Sequence, residues 1–390
     1  MPPVPKVDSL PPEKIAPDKV AIVHEWLEAR AGSEKVVEQM LGLFPQADLF
    51  SLVNFPARNA ALRIPRHTQV HTSFIQQLPL AQGHFRQYLP LMPLAIEQFD
   101  LSPYDLVISS NHAVAKGVIT RPDQLHISYV HTPIRYAWDL QHQYLRELGR
   151  GPRTWVTRLL LHYLRLWDLA AAYRVDCFLA NSSYVAKRIW KTYRRPAKVI
   201  YPPVAVQRFN CHRPREEFYL IVSRCVPYKR VDLAIAAFNQ LGKPLVVIGD
   251  GPAFSQLQRA AKANITFLRN PDDGMVSDYM ERCRAFVFTA EEDFGITVVE
   301  AQAAGAPVIA YGRGGSAETV IPDQTGVLFQ TQNPSNLVEA VHYFEANQDN
   351  FNVERIRHHA ERFSEEHFQH QLKIWLQQQW MKFQQGHSLE

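Results

Sequence analysis

Cysteine is scarce in this chain of 390 residues. There are four, Cys177, Cys211, Cys225 and Cys283, and no two of them form a CxxC pair. That argues against a disulfide framework and against a cysteine zinc site, and it fits a reduced, cytoplasmic compartment. No apolar run approaches the ~18–20 residues that a membrane span needs. No Asp-X-Asp occurs, so the carboxylates that usually bridge a nucleotide diphosphate through a divalent cation are missing. The G-x-x-x-x-G-K-[ST] of a P-loop NTPase is also missing. A large charge excess is lacking too: 42 basic against 38 acidic side chains leave +4. This is too little for bulk nucleic-acid binding but compatible with local basic patches for phosphate or anionic lipid. Residues 1–19 are rich in proline without an apolar h-region, and read as a flexible tail rather than a signal peptide.

What remains is an ordinary globular composition, 46% hydrophobic and 21% charged, long enough for two or three domains. Short apolar runs at 20–24, 47–53, 105–110, 125–130, 176–181 and 199–201 are bounded by polar residues and read as buried parallel strands. A polar loop is expected over 25–30, with a helix starting near Gly32. Residues 72–99, interrupted by Pro79, Pro90 and Pro93, predict broken helices. A second set of strands is expected at 218–224, 245–249, 265–268, 285–289, 307–311 and 326–329, with helices between them at 231–239, 253–263 and 276–283. Strands alternating with helices of this length imply βαβ units and parallel sheets. Because the pattern occurs twice, an α/β chain of two doubly wound domains facing across a cleft is predicted. The expected boundaries are 20–203 and 204–363, followed by a helix over 364–386.

Residues 289–317 join the most chemistry. A strand runs into Glu291, Glu292 and Asp293, then a Phe294-Gly295 turn, then a helix from Ile296. Backbone N–H groups at such a helix start favour an anionic ligand. Arg224 ends one strand and Lys229 follows five residues on, two cations suited to a diphosphate. A solvated loop is the plainer reading for that pair taken alone. Gly249-Asp250-Gly251-Pro252 allows a tight turn close to a ligand. Glu292 and Glu300 do not suit a glycosidase pair: eight helical steps place Cα atoms ~12 Å apart, against ~5–9.5 Å between the carboxyls of such enzymes. His131 ends a strand, with no neighbouring residues at metal-ligand spacing. Residues 150–172 mix Arg150, Arg153, Arg158 and Arg165 with Trp155, Trp167 and several Leu. They read either as an amphipathic helix on a membrane surface or as a helix packed within the first domain.

Together these residues resemble the retaining glycosyltransferases of family 4, which have the GT-B fold of two facing Rossmann-like domains. Glu292 through Glu300 matches the family's E-x7-E motif, and Gly314, Gly315 and Glu318 match the loop after it. Ser223, Arg224 and Lys229 match the paired phosphate-binding cations. Residues 249–252 match the donor-domain turn, and Ala31-Gly32-Ser33-Glu34 looks like the N-terminal glycine-rich loop. The resemblance spans roughly residues 24–363. It implies a nucleotide-sugar donor held by the second domain and an acceptor held by the first. It further implies that His131, Glu292, Arg224 and Lys229 do the catalytic work. Donor binding would fall to Gly249, Gly251, Arg269, Asn270, Asp293, Phe294, Gly295, Ile296, Thr297 and Glu300, with Glu292 on sugar hydroxyls and Glu300 on the ribose. Gly32, Ser33 and Glu34 would form the acceptor-side loop.

Two departures are visible. Ala31 stands where the family has glycine, and its methyl should restrict positive φ and close approach. Arg269-Asn270-Pro271 replaces a segment where glycine is common.

The expected activity is metal-independent transfer of a hexose, with UDP-glucose favoured and GDP-mannose next. No cofactor is expected. The acceptor would be a saccharide or lipid-linked saccharide of polysaccharide assembly, reached in the cytoplasm with peripheral contact at the inner membrane. A nucleotide-sugar epimerase and a non-catalytic nucleotide-sugar-binding scaffold are the alternatives.

Overall fold

A computed structural model of the chain describes residues 17, 19–58, 61–149, 151–387 and 389. The expected tail, 1–19, therefore lies almost wholly outside the described residues, as does Arg150. Two parallel sheets are present. The first has the order β3-β2-β1-β4-β5-β6-β7, with β1 Val20–Leu27, β2 Asp48–Asn54, β3 Val70–Thr72, β4 Leu106–Asn111, β5 Leu125–Val130, β6 Cys177–Ala180 and β7 Lys198–Val199. The second has the order β10-β9-β8-β11-β12-β13, with β8 Tyr219–Val222, β9 Leu245–Ile248, β10 Ile265–Leu268, β11 Ala285–Phe288, β12 Val308–Tyr311 and β13 Gly326–Phe329.

The helices around the first sheet are α1 Gly32–Leu43, α2 Ala81–His84, α3 Met92–Glu97, α4 Gln141–Glu147, α5 Pro152–Ala172 and α6 Ser183–Tyr193. Those around the second are α7 Val231–Leu241, α8 Phe254–Ala260, α9 Asp273–Arg282, α10 Ile296–Ala303, α11 Ser316–Thr319, α12 Pro334–Ala346 and α13 Val353–Glu361. The last, α14, covers Glu365–Gln384. Ser364 caps it by accepting from the His367 N–H, and Glu365 and Glu366 sit favourably at the positive end of its dipole. Its Phe368, Leu372, Trp375 and Leu376 are buried among Val20, Ile22, Leu41 and Ile127 of the first sheet's core, so the C-terminal helix crosses back. Burying each such side chain contributes about 1.5–3 kcal/mol. Two linkers cross side by side at this point, where the Val204 N–H donates to the Phe363 carbonyl at 2.8 Å.

The predicted strands are all present, and β3 is an addition. One expectation needs correcting. Residues 25–27 continue β1 instead of opening a polar loop. Glu25 is fully buried, and its Oε1 accepts the backbone N–H groups of His112, Ala113 and Ala115 at 2.8–3.1 Å. Those three amides follow β4 and would otherwise be unpaired, which is costly in a buried position. A carboxylate inside a strand therefore satisfies the turn of its neighbour.

Candidate active site

A cleft of about 950 Å³ opens where the carboxyl ends of the two sheets face each other, the usual position for ligands in open α/β sheets. On the second-sheet side, Arg224 follows β8 and has no carboxylate partner among the described residues. Lys229 is ion-paired with Glu292. Burial, aided by the Arg224 and Arg135 charges, pushes the Lys229 ammonium down to about 8. Arg224, left without a carboxylate partner among the described residues, keeps its attraction for an anion, with Lys229 beside it held on Glu292. The backbone of Phe294, Gly295, Ile296 and Thr297 also lines the cleft at the start of α10, where the first N–H groups have no intrahelical partner. Gly249 has φ +154°, and a Cβ there would stand 1.9 Å from the Ser223 carbonyl oxygen, so only glycine lets the β8 and β9 loops close together. Asp250 locks that turn to the next one. It accepts from Gly251 N at 2.7 Å, Asn270 Nδ2 at 3.0 Å and Arg269 Nε at 3.0 Å, and these bonds hold its carboxyl below the usual range.

On the first-sheet side, the His131 Nε2 meets Ser110 Oγ at 2.9 Å, and Asn181 Nδ2 donates to the His131 carbonyl at 2.9 Å. The chain continues inward: Ser110 Oγ to His24 Nδ1 at 3.1 Å, and His24 Nε2 to Glu34 Oε1 at 3.5 Å. Burial and the nearby His112 and His24 push His131 down to about 3. It is therefore neutral at ordinary pH, suited to hydrogen bonding and not to acid catalysis. His112 also reaches the cleft, with its Nδ1 3.0 Å from Glu25 Oε2.

The two sides touch. Asp293 meets Arg188 Nη1 at 2.5 Å and Arg135 Nη1 at 3.6 Å, and its carbonyl accepts from Ser182 Oγ at 2.5 Å. Lys35 Nζ on α1 lies 3.1 Å from Glu300 Oε1 on α10. The Glu318 carboxylate accepts the Ser183 and Tyr184 N–H groups at 2.8 and 2.7 Å, capping α6 from across the cleft. A Cβ on Gly32 would come 2.7 Å from Ile296 Cδ1.

Comparisons with known proteins bear on this arrangement. Residues 207–367 match the family Glycosyl transferases group 1. The D-rhamnosyltransferase WbpZ of Pseudomonas aeruginosa is 27% identical over 206 residues, which is 48% of this chain and 54% of that protein. The chain spans about half the length of the first curated relatives it matches. Sucrose-phosphate synthase from Thermosynechococcus elongatus superposes with a TM-score of 0.71 at 18% identity, over 92% of this chain and 98% of that one. The Anabaena protein HepE, solved in complex with UDP-glucose, superposes at 0.67 with 16% identity, over 92% and 100%. This is the GT-B fold.

Most of the residues singled out from sequence come together in the GT-B cleft. Gly32, Ser33, His131, Arg224, Lys229, Gly249, Gly251, Asn270, Glu292, Asp293, Phe294, Gly295, Ile296 and Thr297 all line it. Three do not. Glu34 is buried and turned toward His24 and the Ala31 N–H. Arg269 points outward onto Asp250, with its side chain 62% exposed. Glu300 is turned to Lys35 and Arg208. The methyl of Ala31 proves harmless because its φ is −110°, ordinary extended backbone. Asn270 has φ +47° where the resemblance led us to expect glycine, and asparagine tolerates that region. Sequence reading marked His112 and Asn181 only as polar residues at strand ends, where ligands bind, and missed Lys35, Arg135 and Arg188, whose contacts arise only through folding. For Glu318 the motif was noticed but its partner, the α6 terminus, was not. One trio among the described residues, Cys211, His212 and Glu354, gathers three possible metal-ligand atoms within 4.8 Å, and none of the three lines the cleft.

Proposed function

We propose that this GT-B chain is a retaining, metal-independent glycosyltransferase. It would move a hexose from a nucleotide sugar, UDP-glucose first and GDP-mannose second, to a saccharide or lipid-linked saccharide acceptor of polysaccharide assembly at the cytoplasmic membrane surface. The observation that carries this reading is the convergence of Arg224, Lys229 and the α10 N-terminus on one side of the cleft, opposite His131. A departing nucleoside diphosphate gains negative charge as its bond to the anomeric carbon breaks, and fixed positive groups aimed there lower the barrier. The chain supplies those groups itself, which supports metal independence. The names of the matched relatives support sugar transfer, and HepE's bound UDP-glucose supports that donor.

In the proposed step, the donor lies with its diphosphate against Arg224, Lys229 and residues 294–297. Neutral His131 and Glu292 hold sugar hydroxyls. The acceptor oxygen arrives on the face the phosphate leaves. Its bond to the anomeric carbon forms as the carbon–phosphate oxygen bond breaks, and its proton passes to the departing phosphate oxygen. Glu300 must release Lys35 before it can hold a ribose.

The test is a thermal-shift panel of UDP, GDP and ADP sugars without added metal, since a ligand that binds only the folded state raises apparent stability. It is followed by donor-turnover assays on Arg224→Ala and Glu292→Ala. A loss of roughly 10²-fold or more is expected in each. Unchanged turnover in both variants refutes the site assignment.

A further inference from the structure

A helix lying on a protein surface ordinarily turns polar side chains outward. The outer face of α5 does not. Trp155, Val156, Leu159, Tyr163 and Leu166 stand 67, 66, 69, 45 and 57% exposed. Their spacing, i, i+1, i+4, i+8 and i+11, places them along one side of the helix, and Tyr173 just beyond its end is 80% exposed. Patches of this kind mark a surface that something covers. Arg153 and Arg158 are exposed beside it, with the Arg158 guanidinium 5.2 Å above the Trp155 ring. A cavity of about 610 Å³ at the same end is lined by His142, Arg146, Thr154, Trp155 and Arg158.

The orientation of α5 is set from within. Asp168, its one acidic residue, is fully buried. It is ion-paired with Lys116 and accepts from Trp138 Nε1 at 2.8 Å and Tyr193 Oη at 2.9 Å. Leu161 and Leu164 pack on Ile134 and Ala137, in the segment that also carries the cleft residues His131, Thr132 and Arg135. A buried charge so anchored leaves the helix one way to face.

We propose that this face of α5 docks into the headgroup region of an anionic lipid bilayer, with the helix lying in the membrane plane. Apolar side chains on one face flanked by arginines, with no exposed acid on the helix, are the composition such an interface takes up. Charge decides against a second copy of the chain as occupant. A two-fold contact sets the same patch against itself, so it would bury the arginines of both copies while neither α5 offers an exposed acid to pair with them. Lipid phosphate instead neutralises them. Docking would set one wall of the cleft about one helix diameter, ~10 Å, from the lipid, where a lipid-linked acceptor would present its sugar. This purpose rests on the transferase reading above, whereas the docking itself does not.

Co-sedimentation of the full chain with phosphatidylcholine vesicles, with and without phosphatidylglycerol, tests it. Binding is expected to the anionic vesicles. It should fall roughly 30-fold in Arg153→Glu/Arg158→Glu, from about one kilocalorie per mole for each lost arginine, and more than tenfold in Trp155→Asp/Leu159→Asp. Wild-type protein that ignores anionic vesicles overturns the proposal, as does equal binding by both variants. A wild-type dimer in sedimentation velocity that Trp155→Asp/Leu159→Asp dissolves also overturns it and assigns the face to a second copy. Thermal shifts with UDP-glucose and GDP-mannose should be unchanged in the variants. If no nucleotide sugar shifts even the wild type, the transferase reading fails while the vesicle result still decides the docking.

Discussion

Lys229 ties donor binding to pH in a way that can be worked through quantitatively. Its ammonium is 17% exposed and ion-paired with Glu292, yet without ligand it titrates at about 8, because burial and the charges of Arg224 and Arg135 outweigh the attraction of the Asp293 carboxylate. A bound diphosphate adds negative charge nearby and raises that value. Binding therefore favours the protonated lysine, and affinity must fall as pH rises through 8. At pH 7 about nine-tenths of the free protein is already protonated, and at pH 9 about one-tenth, so the dissociation constant of a nucleoside diphosphate should rise about tenfold between them. The diphosphate does not itself account for the slope, since a terminal phosphate loses its last proton near pH 6. Calorimetry with UDP or GDP across pH 6.5–9.5 measures this, together with proton uptake read from buffers of different ionisation enthalpy. Lys229→Met should bind more weakly at pH 7 and show a flat profile. A flat wild-type profile, or an identical slope in the variant, refutes the assignment of the charge to Lys229.

Three other perturbations follow from the structure. Gly249→Ala should cost about 1–3 kcal/mol of stability, because its Cβ meets the Ser223 carbonyl, and should weaken nucleotide binding in the same thermal-shift panel. Leu372→Ala should cost about 2–5 kcal/mol and lower the denaturation midpoint although it lies on the final helix, since Leu372 is fully buried in the core of the first sheet. Full-strength stability in that variant would show that α14 does not hold the first sheet. Glu318→Gln weakens a cap worth about 0.5–2 kcal/mol across the cleft, so hydrogen exchange at Ser183 and Tyr184 should quicken and small-angle scattering should report a more open molecule.

Much of the fold was legible because each strand is a short apolar run closed by polar or turn residues, a local property. The second sheet was read nearly whole for this reason. Residues 25–27 misled because Glu25 reads as a loop residue, while its role is to accept amides from residues 112–115, about ninety positions away. On the donor side the site was readable, since its cations, turns and helix start lie within or just after single strands. Glu300 was harder: its partner Lys35 is 265 residues away in sequence, and nothing near either residue announces the pairing. Residues 150–172 were ambiguous for a related reason. Periodicity shows that a helix has faces, but on α5 both faces are apolar, and only the buried Asp168 distinguishes them.

The sequence by itself determined the strand and helix order, the glycine and asparagine positions that the turns require, and the absence of the carboxylate pattern by which a metal would usually be held. These depend on backbone conformation and on spacing along the chain. Tertiary structure decided which charges meet across the cleft, which carboxylates turn away from it, and which face of α5 is left uncovered. Those outcomes depend on the docking of two sheets, where electrostatic and packing energies act between residues that chain distance does not relate.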